Sequence, residues 1–225
     1  MVVWPNERAA IGTGAFHRFP ALSLHDPGVA TAPSNTDPWL RRWLPFIRER
    51  AGKSPVLELG CGGGKDTATL LEAGFAVVAI DQSSRAIERA RRRAPQAQFH
   101  AQDLRSPFPA PPGGAGVILA SLSLHYFPWH ETLALVERIH ATLRPAGALL
   151  CRLNSTHDHH YGASGHPRIE DNYFLVKGAP KRFFDRATVE VLFAGGWRIL
   201  SAEECVIDRY ALPKVVWELV LERDA

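Results

Sequence analysis

The chain has 225 residues, of which 46% are apolar and 22% charged, with a net charge of +3. That balance is globular, sufficient for a core without staples, and too weakly basic to argue for nucleic-acid binding. Cys61, Cys151 and Cys205 stand too far apart for a disulfide framework or a Cys-rich zinc module, and no apolar run approaches the roughly 18 residues of a membrane-spanning helix. Residues 1–30 carry Pro5, His17, Pro20 and Asp26 but no basic-then-apolar leader pattern. The expected compartment is therefore a reducing cytoplasm.

Residues 1–36 are rich in Gly, Pro, Ser, Thr and Asn and lack periodicity, which predicts an irregular N-terminal arm. A single domain is expected over 37–225. It opens with a helix over 37–50, which Asp37 can cap and whose first turn suits Pro38. Trp39, Leu40, Trp43, Leu44 and Ile47 mark one face, with arginines 41, 42, 48 and 50 largely on the other. From Ser54 strands and helices alternate. Strands are read at Val56–Leu59, Phe75–Ile80, Gln98–Ala101, Gly116–Ala120 and Ala148–Leu153. Helices begin at Thr67 and at Ser83 or Ser84. A further helix carries Leu133, Val136, Ile139 and Leu143. Such alternation implies a parallel sheet with helices on both faces. After a helix capped by Asp185 and ending at Gly195-Gly196, Trp197–Ile207 and Val215–Leu221 follow without a helix between them, so they must form an antiparallel hairpin.

The informative segment is Val56-Leu57-Glu58-Leu59-Gly60-Cys61-Gly62-Gly63-Gly64-Lys65-Asp66-Thr67, between a predicted strand and a predicted helix. Glycines there let the chain turn sharply and let a ligand approach the main chain. The plainer reading is a tight turn with no ligand. A dinucleotide fingerprint is G-x-G-x-x-G. Here the spacing is G-x-G-x-G with Glu58 two residues before it, and a carboxylate at that place favours an ammonium over a pyrophosphate. Asp81 and Asp103 end the second strand and follow the third, both at the carboxyl edge where open α/β sheets bind ligands. Together they sketch an adenosine carrying an amino acid, with Glu58 for the ammonium, Asp81 for the ribose hydroxyls and Asp103 for the adenine amine.

Glu58–Gly64, Asp81 and Asp103 resemble the first three motifs of the class I S-adenosylmethionine-dependent methyltransferases. Val117–Phe127 is similar to the family's fourth-strand motif. Leu143-Arg144-Pro145-Ala146-Gly147 resembles the turn before the fifth strand, with Ala146 where a second glycine is usual. The resemblance runs from about Ser54 to the end of the chain, and Gly64-Lys65-Asp66-Thr67 is nearest to the small bacterial tellurite-resistance-like type. It implies an α/β fold: a Rossmann-like seven-stranded sheet, mostly parallel, with helices on both faces and a C-terminal antiparallel hairpin. The implied cofactor is S-adenosylmethionine, held by Glu58, Gly60, Cys61, Gly62, Asp81, Gln82, Asp103, Leu104 and Ser121.

The implied activity is methyl transfer to a small molecule. The alternatives are a protein or nucleic-acid acceptor, or a non-catalytic cofactor-binding regulator. Relatives that methylate exocyclic amines carry an Asn-Pro-Pro-aromatic motif; Ser121-Leu122-Ser123-Leu124 stands in its place. His125, Tyr126 and Tyr161 are the substrate-side candidates, and His125 reads either as a base or as a packing residue beside the cofactor. His157-Asp158-His159-His160-Tyr161 sets no coordination geometry, so no metal is expected. Residues 154–180 lack periodicity and are too long for a plain connection, which predicts a lid. Within and just beyond it, Lys177, Lys181 and Arg182 read either as a solvated basic face or as a preference for an anionic substrate. No membrane contact and no nucleic-acid stripe is expected; the oligomeric state is left open.

Overall fold

A computed structural model of the protein describes residues 38–208 and 210–224. The expected arm over 1–36 and the Asp37 cap lie outside the described residues. Helix α1 (Trp39–Ala51) starts at Pro38 and buries Trp39, Leu40, Ile47 and Ala51. The alternation then follows as β1 (Val56–Leu59), α2 (Lys65–Glu72), β2 (Val77–Asp81), α3 (Ser84–Arg93), β3 (Gln98–Ala101), β4 (Ala115–Ser121), α4 (Trp129–Thr142) and β5 (Leu143–Asn154). Ser83 caps α3, its hydroxyl accepting the Ala86 amide at 3.2 Å. Leu143 is not the end of α4, as its spacing suggested, but the first residue of β5, paired with Ala115. Ala146 takes the left-handed conformation (φ 57°) in the irregular start of β5, where a glycine would sit without strain.

Residues 154–180 are not structureless. They hold a short 3-10 turn (His159–Tyr161), β6 (Arg168–Glu170), β7 (Tyr173–Val176) and most of β8 (Ala179–Arg182). The three strands form a separate antiparallel sheet. Their sequence hides this because each strand is short and alternation needs several residues to be visible. Helix α5 (Arg186–Leu192) is capped by Asp185, which accepts the Thr188 amide at 2.7 Å, and it ends short of Gly195. The long strands β9 (Trp197–Ile207) and β10 (Lys214–Arg223) close the chain as the antiparallel hairpin.

The main sheet has seven strands in the order β3-β2-β1-β4-β5-β10-β9. All pairs among β1 to β5 are parallel, and β10 is antiparallel to β5 and β9. Strand alternation sends Val117 and Leu119 to one face, under α1, α2 and α3, and Ile118 and Ala120 to the other, under α4 and α5. Burial of Val117, Ile118 and Leu119 contributes roughly 1.5–3 kcal/mol each. The face of β10 that carries Glu218 and Glu222 is also covered. Arg152 and Arg42 pair with Glu218, and Arg50 and Arg198 with Glu222. The strand order reverses between β1 and β4, which opens a crevice at the carboxyl ends of these strands.

Candidate active site

A cavity of about 820 Å³ occupies that crevice, within the usual size of a small-ligand site. Glu58, Gly60, Cys61, Gly62, Asp81, Gln82, Asp103, Leu104, Ser121 and Tyr126 all line it, as do the unforeseen Arg93, Arg105, Phe127, Ala179, Pro180 and Tyr210. His125 and Tyr161 do not line it. His125 is buried in the 3-10 turn Leu124–Tyr126, against the Tyr126 ring. The Tyr161 hydroxyl bonds the backbone of Leu212, and its ring touches Tyr210, which does reach the cavity.

The glycine loop turns directly after β1. Gly60 has φ 74°, and a Cβ there would collide with the Ser123 side chain. Gly62 has φ 55°, yet a Cβ on it would meet no protein atom within 4 Å. The space above Gly62 is therefore free for a ligand to approach the main chain. Asp81 fastens this loop: Oδ2 accepts the Gly62 amide at 2.8 Å and Oδ1 the Ser83 amide at 2.9 Å. Glu58 is buried in β1, and the Thr67 hydroxyl of α2 donates to its Oε2 at 2.5 Å. Thr67 was missed from the sequence because nothing local marks a threonine in the first turn of α2 as a carboxylate partner. Asp103 accepts the Arg105 amide at 2.8 Å and pairs with the Arg105 guanidinium, which also bonds Glu131 at 2.6 Å and lies over Phe127.

Other groups are constrained by burial. Burial first, then the charges of Glu58 and Asp81, push the Cys61 thiol far up, so it stays protonated. Burial first, then the charges of Lys214 and Lys181, hold the His125 imidazole well below its usual range, so it is neutral at pH 7. The hydroxyls of Ser121 and Ser123 and the Nδ1 of His125 are buried without a hydrogen-bond partner. The His157–Tyr161 stretch spends its polar groups within the protein: His157 Nδ1 meets Glu204 at 2.8 Å, and Asp158 pairs with Lys214 at 2.5 Å.

Residues 56–147 match the family model described as a methyltransferase domain. The chain is 38% identical over 137 residues to a trans-aconitate 2-methyltransferase of Delftia acidovorans, covering 60% of this chain and 48% of that protein. To the enzyme of that name from Paracidovorax citrulli it is 34% identical over 102 residues, 44% of this chain and 38% of that one. The chain thus spans about half, or less, of the length of the curated relatives it matches. Among solved structures it resembles a SAM-dependent methyltransferase of Methanosarcina mazei (TM-score 0.68, 17% identity, 80% of this chain and 97% of that one). It also resembles the 1,6-didemethyltoxoflavin-N1-methyltransferase of Burkholderia thailandensis (TM-score 0.61, 20% identity, 83% and 78%), whose structure holds its acceptor and S-adenosylhomocysteine. The likeness to these solved structures is one of fold, and it bears out the Rossmann-like, mostly parallel seven-stranded sheet with a C-terminal antiparallel hairpin. The comparisons support likeness to methyltransferases and do not show the expected nearness to the tellurite-resistance-like type. Among the described residues no helix is long and apolar enough to cross a membrane.

Proposed function

We propose that the protein is an S-adenosylmethionine-dependent methyltransferase acting on a small molecule. The observation that carries the reading is the cavity wall at the β1/β4 reversal. There Glu58, Asp81 and Asp103 surround a glycine loop whose Gly62 leaves open space above the backbone. These residues fit the cofactor. Glu58 is an acceptor for the ammonium, Asp81 for the ribose hydroxyls and Asp103 for the adenine amine. Gly60, Cys61, Gly62, Gln82, Leu104 and Ser121 complete the surface around it. When bound, S-adenosylmethionine supplies a methyl group activated on a sulfonium.

The chain's own contribution is positioning and exclusion of water, which contributes up to roughly 7–11 kcal/mol when two reactants are held in line. Tyr126 and Phe127 wall the cavity after β4, and Ala179 and Pro180 of β8 line it from the inserted sheet. A cavity wall contributed by the inserted sheet favours a small acceptor over an open groove for a macromolecule and supports the lid role of residues 154–180. The trans-aconitate 2-methyltransferase relatives make a small organic acid the first acceptor to try.

Calorimetric titration with S-adenosylhomocysteine, followed by labelled methyl transfer to pools of small acids, thiols, phenols and amines, tests the proposal. Binding of the cofactor product with transfer to one small-molecule pool is the expected result. Absence of binding, or transfer only to protein or nucleic acid, would overturn it.

A further inference from the structure

Three cations line the cavity, Lys65, Arg93 and Arg105. Arg93 is spent on the glycine loop, where it donates to the Gly63 carbonyl at 2.5 Å. Arg105 is joined instead to a carboxylate that lines the same cavity, Asp103. The joint has two parts. The Arg105 backbone amide donates to Asp103 Oδ1 at 2.8 Å, and the guanidinium Nη1 donates to Oδ2 at 3.2 Å. One residue therefore holds both oxygens and fixes the rotation of the carboxylate. A carboxylate has about four acceptor sites, so these bonds do not exhaust it.

The guanidinium is itself anchored from elsewhere in the fold. Its Nε donates to Glu131, in the first turn of α4, at 2.6 Å, and it lies 4.8 Å from the centre of the Phe127 ring. Arg105 is half exposed, and an exposed ion pair adds little to stability. Three anchors nevertheless converge on one planar group, whose fork fits two carboxylates at once. The loop does not need this side chain to keep its course. Leu104 is buried, and Arg138 of α4 donates to the carbonyls of Leu104 at 2.8 Å and Arg105 at 2.7 Å. The Ser106 amide closes the turn on the Asp103 carbonyl at 3.0 Å. What the guanidinium supplies is the orientation of Asp103 at the cavity wall.

We propose that Arg105, braced by Glu131 and Phe127, is a positioning residue that sets the Asp103 carboxylate for the adenine amine of the cofactor and so makes the site selective for the base. This deepens the S-adenosylmethionine reading and rests on it. Without the guanidinium, Asp103 has to be ordered when the base arrives, and that ordering weakens binding. Selectivity follows from the same geometry. A carboxylate accepts from the 6-amine of adenine, whereas the 6-oxo group of hypoxanthine sets acceptor against acceptor.

The test is calorimetry on the full chain with S-adenosylhomocysteine and its inosyl analogue, in which an oxo group replaces the 6-amine. Wild type, Arg105→Ala, Glu131→Ala and the double variant are compared, with urea midpoints to show that each is folded. Wild type should prefer the adenosyl ligand about 10- to 150-fold, the span of a hydrogen bond to a charged acceptor. Arg105→Ala should narrow that preference about 2- to 10-fold, the span for ordering one side chain. Glu131 does not line the cavity, so narrowing in Glu131→Ala travels through Arg105, and the double variant should match Arg105→Ala alone. An unchanged preference in Arg105→Ala overturns the proposal. So does tighter binding of S-adenosylhomocysteine by that variant, which would mean that the guanidinium competes with the base. Additive effects in the double variant overturn the brace. A wild type that binds S-adenosylhomocysteine without preferring it to the inosyl analogue overturns the proposal and leaves the methyltransferase reading intact. A wild type that does not bind S-adenosylhomocysteine overturns that reading, and the role of Arg105 falls with it.

Discussion

Asp81 holds Gly62: its Oδ2 accepts the Gly62 amide at 2.8 Å across a gap of 19 residues. One carboxylate thus fixes the shape of the loop and faces the cavity at the same time. Replacing it by alanine removes both functions. Hydrogen bonds to a charged acceptor are worth roughly 1.5–3 kcal/mol, so Asp81→Ala should weaken S-adenosylhomocysteine about 10- to 150-fold. Asp81→Asn keeps a side-chain oxygen for Gly62 but loses the charge and should fall between wild type and alanine. Calorimetry measures both, and an unchanged dissociation constant for the alanine variant would remove Asp81 from the ribose role.

Gly62→Val should abolish cofactor binding while leaving a folded protein. A Cβ at Gly62 meets no protein atom within 4 Å, so the fold has room for it. The side chain would stand where the ligand approaches. The φ of 55° is also a left-handed one that valine tolerates poorly, at a cost of roughly 1–2 kcal/mol. Circular dichroism should report a modest fall in Tm, and titration should show no binding. Tight binding by this variant would mean that the loop does not touch the ligand.

Thr67→Val keeps the volume and deletes the hydroxyl that donates to Glu58. Glu58 is 2% exposed, so loss of this donor should destabilise the domain by about 1–3 kcal/mol, visible as a lower urea midpoint. Cofactor affinity should fall as well, because Glu58 is no longer held in place. Thr67→Ser should restore both. A valine variant with wild-type midpoint and affinity would show that Thr67 does not position Glu58.

His125 gives a pH dependence of stability. The unfolded imidazole takes a proton near pH 6.5, about its usual pKa, whereas the folded one resists it because of burial and the neighbouring Lys214 and Lys181. Below about pH 6.5 the unfolded state therefore binds more protons, and stability falls as pH drops. The contribution is fully present above that pH, and its slope approaches about 1.4 kcal/mol per pH unit below it. Asp158, Lys181, Lys214 and Tyr126 are retained in His125→Gln, so the difference between the two proteins isolates the imidazole. Urea unfolding at pH 7.5, 6 and 5 should show a shallower acid loss in the variant. Parallel pH profiles would mean that His125 titrates as it does in the unfolded chain.

Much of the cofactor half was legible in the sequence because its determinants are local. The β1–loop–α2 segment names its own turn through Gly60 and Gly62, and Asp81 is placed by being the last residue of an apolar strand. The alternation of strands and helices, followed by two strands in a row, determined a mostly parallel sheet with a closing hairpin. The reason is that parallel neighbours need crossover helices and antiparallel ones do not. Short strands of the insertion escaped this reading because β6 spans only Arg168–Glu170 and offers no period to see.

What only the tertiary structure decided is which polar groups meet. Asp158 finds Lys214 across 56 residues and Tyr161 finds Leu212 across 51, so no spacing rule could pair them. Arg182 and Lys181 are neighbours of like charge in the sequence. Strand alternation and the position of Glu170 spend the arginine and leave the lysine unpaired. His125 reads in the sequence as a residue after β4 that could face a ligand. Packing buries it beside the cavity wall and leaves Tyr126 on the surface of the cavity itself. Local sequence determines turns, caps and strand ends because their hydrogen bonds close within a few residues. The meeting of distant charges follows from sheet order, which is set by the burial of both faces at once.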